Sequence, residues 1–117
     1  MKPICIIPAR GGSKGVPKKN IRKINGKPLL GHVIKQINKS KIFSSVIVST
    51  EDSEIAKIAK KFGADVPFIR PKNLATDSTP MDKVLLHAVK KLYDLGYKFE
   101  IFVLRDATTP FITTSDI

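Results

Sequence analysis

Four cations and three glycines lie within ten residues near the start of this 117-residue chain: Arg10, Gly11, Gly12, Lys14, Gly15, Lys18 and Lys19. Glycine lets main-chain N–H groups approach a ligand closely, because it has no side chain to stand in the way. N–H donors and positive charges, with no acidic residue among them, suit a polyphosphate. A basic, solvated turn is the alternative interpretation of the same residues.

The glycine-rich stretch matches neither of two common phosphate-binding motifs. A P-loop closes with Gly-Lys-Ser or Gly-Lys-Thr at a set spacing, and no such triplet follows these glycines. The dinucleotide fingerprint G-x-G-x-x-G also fails, because Gly11, Gly12 and Gly15 have a different spacing.

Apolar runs alternate along the chain with segments of helical periodicity. The runs predict buried strands at residues 4–7, 46–50 and 99–104, and the periodic segments predict helices at 29–37, 53–62 and 81–92. This alternation predicts βαβ units and a mainly parallel sheet. Ligands of such sheets bind beyond the carboxyl ends of the strands, so we expect a site built from residues 8–20, 50–54 and 105–111.

The composition is that of an ordinary soluble globular protein with an excess of positive charge. Of the residues, 42% are hydrophobic, and 21 Lys and Arg against 10 Asp and Glu give a net charge of +11. Most of the lysines fall on the outward side of the predicted helices, and no aromatic residues are interleaved with them as stacking platforms. Nucleic acid is therefore an unlikely partner.

The single cysteine and the hydropathy pattern bear on location. Cys5 lies inside the first apolar run, which predicts a buried thiol and excludes a disulfide within one chain. No apolar run approaches the length of a membrane span. We therefore expect a cytoplasmic protein with no membrane partner.

Residues 7–20 read I-P-A-R-G-G-S-K-G-V-P-K-K-N. This stretch closely resembles the opening loop of the acylneuraminate cytidylyltransferases, the CMP-sialic acid synthetase family. Three further stretches resemble the family in the same order, at residues 49–55, 70–77 and 102–111. The resemblance implies a three-layer, Rossmann-like nucleotide-diphospho-sugar transferase fold, α/β with a mainly parallel sheet.

The resemblance covers essentially all 117 residues, but only the N-terminal half of a typical family member. Residues 113–117 also look like the start of a helix with nothing after it. We therefore expect residues 1–117 to be the N-terminal, nucleotide-binding part of a single cytidylyltransferase domain, truncated and without its C-terminal half. Such a chain could be inactive alone.

The resemblance implies an enzyme that joins CTP to an acidic nine-carbon sugar of the sialic, legionaminic or pseudaminic type. Pyrophosphate is released and magnesium is the cofactor. Family members are usually homodimers, which is left open for this chain. Two alternatives also remain: a truncated module that binds nucleotide or nucleic acid without catalysis, and an enzyme like the 3-deoxy-octulosonate cytidylyltransferases.

Position in the family motifs also implies roles for individual residues. Arg10, Lys14 and Lys19 would be catalytic, contacting the phosphates. The nucleotide-binding set would be Ala9, Arg10, Gly11, Gly12, Ser13, Lys14, Lys19, Asn20, Arg70, Asp77, Ser78 and Thr79. The sugar would meet Arg105, Asp106 and Thr108, with Asp106 also a possible metal ligand. A family glutamine has no clear counterpart near Arg105 and Asp106, where the chain is one residue longer, and this departure points to a different nonulosonic acid, such as a legionaminic or pseudaminic type.

Overall fold

Three parallel strands form a sheet at the centre of the chain. The structure, a computed structural model, describes residues 1–11, 23–24, 27–76 and 78–105. In chain order its elements are β1 (Ile4–Pro8), β2 (Lys23–Ile24), β3 (Lys27–Pro28), α1 (Leu29–Ser40), β4 (Ser45–Ser49), α2 (Ser53–Lys61), a 3₁₀ turn (Lys72–Leu74), α3 (Met81–Asp94) and β5 (Phe102–Leu104). The strand order is β4-β1-β5, so β1 lies in the middle, and β2 pairs separately with β3 in antiparallel orientation.

The central strand β1 is apolar along its length because both of its faces are covered. Cys5 and Ile7 pack on one face, in a cluster with residues of α1 and α2. Ile4 and Ile6 pack on the other face, with residues of α3 and with Phe99. Helices on both faces are the usual surroundings of a parallel sheet, whose strands then read as continuous hydrophobic runs. The predicted α/β architecture is confirmed.

Each helix turns an apolar stripe toward the sheet. The stripe of α1 buries Val33, Ile34 and Ile37. The stripe of α3 buries Val84, Ala88 and Leu92, which follow one another at intervals of four residues. The lysines on the opposite faces are exposed, as predicted: Lys35, Lys39, Lys57, Lys60, Lys61, Lys90 and Lys91. In the described part of the chain, no helix has the length and apolar character that crossing a membrane requires.

Strand β5 is shorter than its sequence pattern suggested. The predicted strand began at residue 99, but the observed strand begins at Phe102. Phe99 is instead buried in the α3-side cluster, where its ring stacks on Tyr93 at 4.6 Å between centroids. The Tyr93 hydroxyl also donates to the Phe99 carbonyl oxygen at 3.0 Å. Packing against α3 therefore removes this apolar residue from the strand.

Candidate functional site

The carboxyl ends of the three parallel strands bring several of the predicted site residues to one edge of the sheet. Just past β1, the N–H of Ala9 donates to the Ser49 carbonyl oxygen at 2.9 Å. Beyond β5, the N–H of Arg105 donates to the Ile6 carbonyl oxygen at 3.0 Å. Residues that follow β1, β4 and β5 are thus aligned by main-chain hydrogen bonds, as expected for a parallel sheet.

Gly11, the first glycine of the loop, is held against the segment that follows β4. Its N–H donates to both carboxylate oxygens of Glu51, at 2.8 and 3.2 Å. A Cβ at this position would lie 2.5 Å from the Asp52 Oδ2 atom and 2.7 Å from the Asp52 Cβ atom. Only glycine fits, because real Cβ atoms do not approach other atoms this closely.

The Glu51–Asp52 segment also starts a helix. Asp52 is the N-cap of α2, and its Oδ1 atom accepts from the N–H groups of Glu54 and Ile55 at 2.9 and 3.0 Å. A carboxylate suits this position because the first N–H groups of a helix have no partner within the helix. The cap fixes the backbone at Asp52, and with it the point from which the Glu51 side chain reaches Gly11.

Arg70 ties a neighbouring loop to the same edge and is only 2% exposed. Its Nη2 donates to the Ser49 carbonyl oxygen at 2.8 Å, and its Nη1 to the Leu74 carbonyl oxygen at 3.1 Å. Burial lowers the pKa of Arg70, while the charge of Glu51 opposes this shift and the charge of Arg10 adds to it. Arg70 therefore lies within electrostatic range of both residues, with main-chain oxygens as partners of its guanidinium.

Three hydroxyl side chains form a cluster just before α3. Thr76 Oγ1 lies 2.7 Å from Thr79 Oγ1 and 3.3 Å from Ser78 Oγ. Thr79 Oγ1 also accepts from the Thr76 N–H at 3.1 Å and lies 3.5 Å from the Asn73 carbonyl oxygen. Asn73 precedes Leu74, the residue that binds Arg70, so Ser78 and Thr79 are linked to the strand-end edge through this loop.

Arg105, at the end of β5, is 8% exposed and lies close to the thiol of Cys5. Burial raises the pKa of Cys5 to about 12, and the positive charge of Arg105 acts in the opposite direction. The predicted buried thiol is confirmed. The guanidinium of Arg105 is thus largely enclosed by protein.

The predicted site residues divide into two groups. The structure describes Ala9, Arg10, Gly11, Arg70, Ser78, Thr79 and Arg105. Eight others lie outside the described residues: Gly12, Ser13, Lys14, Lys19, Asn20, Asp77, Asp106 and Thr108. The roles of the residues in both groups stay predictions. In the part of the chain that is described, no group of three or more His, Cys, Asp and Glu side chains could hold a metal ion.

The sequence places Glu51 in the 50–54 segment of the expected site, as part of a helix start, and gives it no role of its own. Its hydrogen bond with Gly11 joins residues that are 40 positions apart. One signal is available in the sequence: an acidic residue directly follows a predicted strand whose carboxyl end is expected to contribute to the site. The parallel sheet brings these two strand ends together.

Comparison with known proteins gives consistent matches along nearly the whole chain. A family model described as cytidylyltransferase matches residues 4–117. The pseudaminic acid cytidylyltransferase of Campylobacter jejuni is 41% identical over 112 residues, which are 96% of this chain and 48% of that protein. The CMP-N,N'-diacetyllegionaminic acid synthase of Legionella pneumophila is 36% identical, over 95% of this chain and 48% of that protein.

Solved structures resemble the chain in the same way. A CMP:2-keto-3-deoxy-manno-octonic acid synthetase complexed with CTP has a TM-score of 0.81 at 24% identity, over 99% of this chain and 44% of that one. A cytidylyltransferase from Leptospira borgpetersenii has a TM-score of 0.73 at 25% identity, over 98% and 45%. The fold expected from the sequence is thereby confirmed. The chain spans about half the length of the relatives it matches.

Proposed function

Because the chain belongs to the cytidylyltransferase family, we propose that it is the N-terminal, CTP-binding part of an enzyme that joins CTP to an acidic nonulosonic sugar. The observation that carries this proposal is its 36–41% identity, over nearly all of its length, to enzymes named for pseudaminic and legionaminic acid. The glycine-rich loop begins at the strand-end edge where ligands of parallel sheets bind.

In the proposed reaction, the anomeric hydroxyl of the sugar attacks the α-phosphate of CTP and pyrophosphate leaves. The protein must neutralise the triphosphate and hold the attacking oxygen in line with the leaving group. Arg10, at the edge where the loop begins, would contribute one positive charge. Lys14 and Lys19 would contribute two more, and the N–H groups of Gly12 and Ser13 would line the same phosphates.

The remaining predicted residues would serve the nucleoside and the sugar. Asn20 would hold the ribose or the α-phosphate region. The residues Asp77, Ser78 and Thr79 would lie near the nucleotide. Arg70 would act there by holding the loop in place, since its guanidinium binds main-chain oxygens. Arg105, Asp106 and Thr108 would face the sugar.

Magnesium is the cofactor that we propose. The described carboxylates nearest the loop have other partners: Glu51 accepts from Gly11, and Asp52 caps α2. These residues therefore do not by themselves form a magnesium site. Protein-bound magnesium commonly takes one or two carboxylates together with substrate phosphates, and Asp106 is the ligand that we propose.

The location and the assembly of the enzyme are part of the same proposal. We propose a cytoplasmic enzyme that acts as a homodimer. The sugar is of the pseudaminic, legionaminic or sialic type, because relatives are named for all three.

The test measures pyrophosphate release by the natural protein, purified from its source, in the presence of CTP, magnesium and each of the three sugar acids in turn. We expect release that requires both CTP and one of these sugars. Lys14→Ala should lower the rate about ten- to hundredfold, the scale of one charge-assisted hydrogen bond. Lys57→Ala, which removes an exposed charge from α2, is the matched control. Release that needs no sugar, or none with any of the three, would contradict the proposal.

A further inference from the structure

Glu51 makes a hydrogen bond that no role assigned so far explains. Both of its carboxylate oxygens accept from one N–H group, that of Gly11, at 2.8 and 3.2 Å. We propose that Glu51 is a positioning residue for the glycine-rich loop: its carboxylate holds Gly11 and so sets where the chain enters the phosphate-binding segment. This inference rests on the proposed function and adds a residue to its site.

The geometry around Gly11 supports this role from two further sides. The side chain of Asp52 fills the space in which a Cβ of Gly11 would lie. Two residues earlier, the N–H of Ala9 binds the Ser49 carbonyl oxygen. The chain leaving β1 is therefore attached to the segment leaving β4 at Ala9 by a main-chain contact, and at Gly11 by a side-chain contact.

The anchoring side chain is itself well placed. Its neighbour Asp52 caps α2, which fixes the backbone beside Glu51. The N–H of Arg70 donates to the Thr50 carbonyl oxygen at 2.8 Å on the other side of Glu51. Because the backbone is fixed on both sides of Glu51, forming this hydrogen bond costs only the rotamer freedom of the Glu51 side chain and no further backbone freedom.

This arrangement separates Gly11 from the phosphate donors. Its N–H already binds a carboxylate, so the phosphates would be bound by Arg10 and by the N–H groups and cations that follow Gly11 in the chain. Gly11 then contributes by its backbone position and its lack of a Cβ. The family motif implies that Gly11 is a nucleotide-binding residue; with its N–H bound to Glu51, its contribution to nucleotide binding is indirect.

The charge of Glu51 makes the inference testable by the sign of an effect. A carboxylate close to a phosphate repels it, and more strongly where solvent is excluded. If Glu51 were only a nearby negative charge, its removal would tighten the binding of CTP. If it positions the loop, loss of its acceptor oxygens must weaken binding despite the gain in charge balance.

The first experiment titrates the chain with CTP and magnesium and compares three variants. We expect Glu51→Ala to weaken binding at least about tenfold, and Glu51→Gln, which keeps one acceptor oxygen, to stay within about threefold of the unsubstituted chain. Glu54→Gln removes the same charge three residues away and should not weaken binding. Unchanged or tighter binding in Glu51→Ala would overturn the inference.

The second experiment tests the hydrogen bond between Glu51 and Gly11 in the absence of nucleotide, by measuring hydrogen exchange of the main-chain amides in NMR spectra. Glu51→Ala should speed exchange at Gly11 about tenfold or more and leave exchange at Ala9 unchanged, because the partner of Ala9 is a carbonyl of β4. Glu51→Gln should retain part of the protection at Gly11. Equal exchange at Gly11 in all three proteins would overturn the inference, whatever the nucleotide does.

The two readouts separate this inference from the function on which it rests. If the unsubstituted chain takes up no CTP, the proposed nucleotide site is wrong for these residues, and the phosphate-positioning part of the inference fails with it. If CTP binds but neither binding nor exchange at Gly11 responds to Glu51→Ala, the function stands and the role of Glu51 is wrong.

Discussion

Arg70 illustrates how single side chains at the strand-end edge are held by main-chain oxygens. It is almost fully buried and spans from the Ser49 carbonyl to the Leu74 carbonyl. The sequence motif around Arg70 suggested a place near the nucleotide. Its hydrogen bonds indicate that it also stabilises the fold, because a buried carbonyl oxygen without a hydrogen-bond partner destabilises the folded state.

Replacing Arg70 should destabilise the fold even without nucleotide. Arg70→Met removes the donor to the Leu74 carbonyl oxygen and one of the two donors to the Ser49 carbonyl oxygen, which keeps the Ala9 N–H, and we expect a loss of about 1–3 kcal/mol in the free energy of unfolding. Urea denaturation of the ligand-free chain measures this loss. Lys72→Ala, at an exposed neighbouring position, should change stability little. An Arg70→Met variant as stable as the parent would show that Arg70 serves only the ligand.

The thiol of Cys5 predicts a pH dependence of stability. In the folded chain its pKa is raised to about 12 from 9.0, so above about pH 9 the unfolded chain loses the thiol proton while the folded chain keeps it. The contribution of Cys5 is therefore complete below about pH 9 and is lost as the pH rises toward about 12. Over this range the stability difference between the parent and Cys5→Ala should change by about 1.4 kcal/mol per pH unit.

Urea denaturation of both proteins at several pH values between about 8 and about 10.5 measures this difference. The comparison with Cys5→Ala cancels the titration of lysines and tyrosines that the two proteins share. A difference that stays constant across this range would contradict the buried, protonated thiol.

At the scale of elements, the helices could be predicted well because their apolar residues follow a clear helical period. The observed bounds of α2, Ser53–Lys61, lie within one residue of the prediction. The start of β5 could not be predicted in this way, because Phe99 continues the apolar run but packs on Tyr93. A local pattern records that a residue is apolar, whereas its packing partner is set by tertiary structure.

Two glycines that follow helices offer a matched pair of substitutions. Gly63 and Gly96 have φ angles of 102° and 92°, which favour glycine. A Cβ at Gly96 would meet nothing within 4 Å, whereas one at Gly63 would lie 2.9 Å from the Asn38 Nδ2 atom. Gly96→Ala should therefore cost about 1 kcal/mol for its left-handed backbone alone.

Gly63→Ala should cost more than Gly96→Ala, since the Asn38 amide must also move and its 3.3 Å hydrogen bond to the Gly63 carbonyl oxygen would weaken. Thermal or urea unfolding of both variants gives the comparison. Equal costs would show that Asn38 yields freely, and a larger cost at Gly96 would contradict the described ends of α2 and α3.

At the scale of the whole molecule, the sheet order explains which parts of the site could be foreseen. A parallel sheet places its strand ends at one edge, so the regions following β1, β4 and β5 could be named from the sequence. The contact between Glu51 and Gly11 could not, because it depends on β4 being the neighbour of β1. Which strands are neighbours is a property of the fold and not of either segment.

The net charge of +11 bears on how the site must be tested. Exposed lysines attract any polyphosphate. Such binding releases counterions into solution, so its affinity falls steeply as the salt concentration rises. Binding that depends on selective contacts with the base and on a specific phosphate-binding loop persists at moderate salt. Selectivity among nucleotides is therefore a sharper criterion than affinity for CTP alone.

The measurement that tests the central claim most directly is a calorimetric titration of this chain with CTP and magnesium at moderate salt, beside ATP, GTP and UTP. We predict binding that favours CTP, that is lost in Lys19→Ala, and that is retained in Lys18→Ala, a neighbouring cation with no assigned role. Equal, salt-sensitive binding of all four nucleotides, or no binding of CTP, would contradict a cytidylyltransferase nucleotide site in these residues.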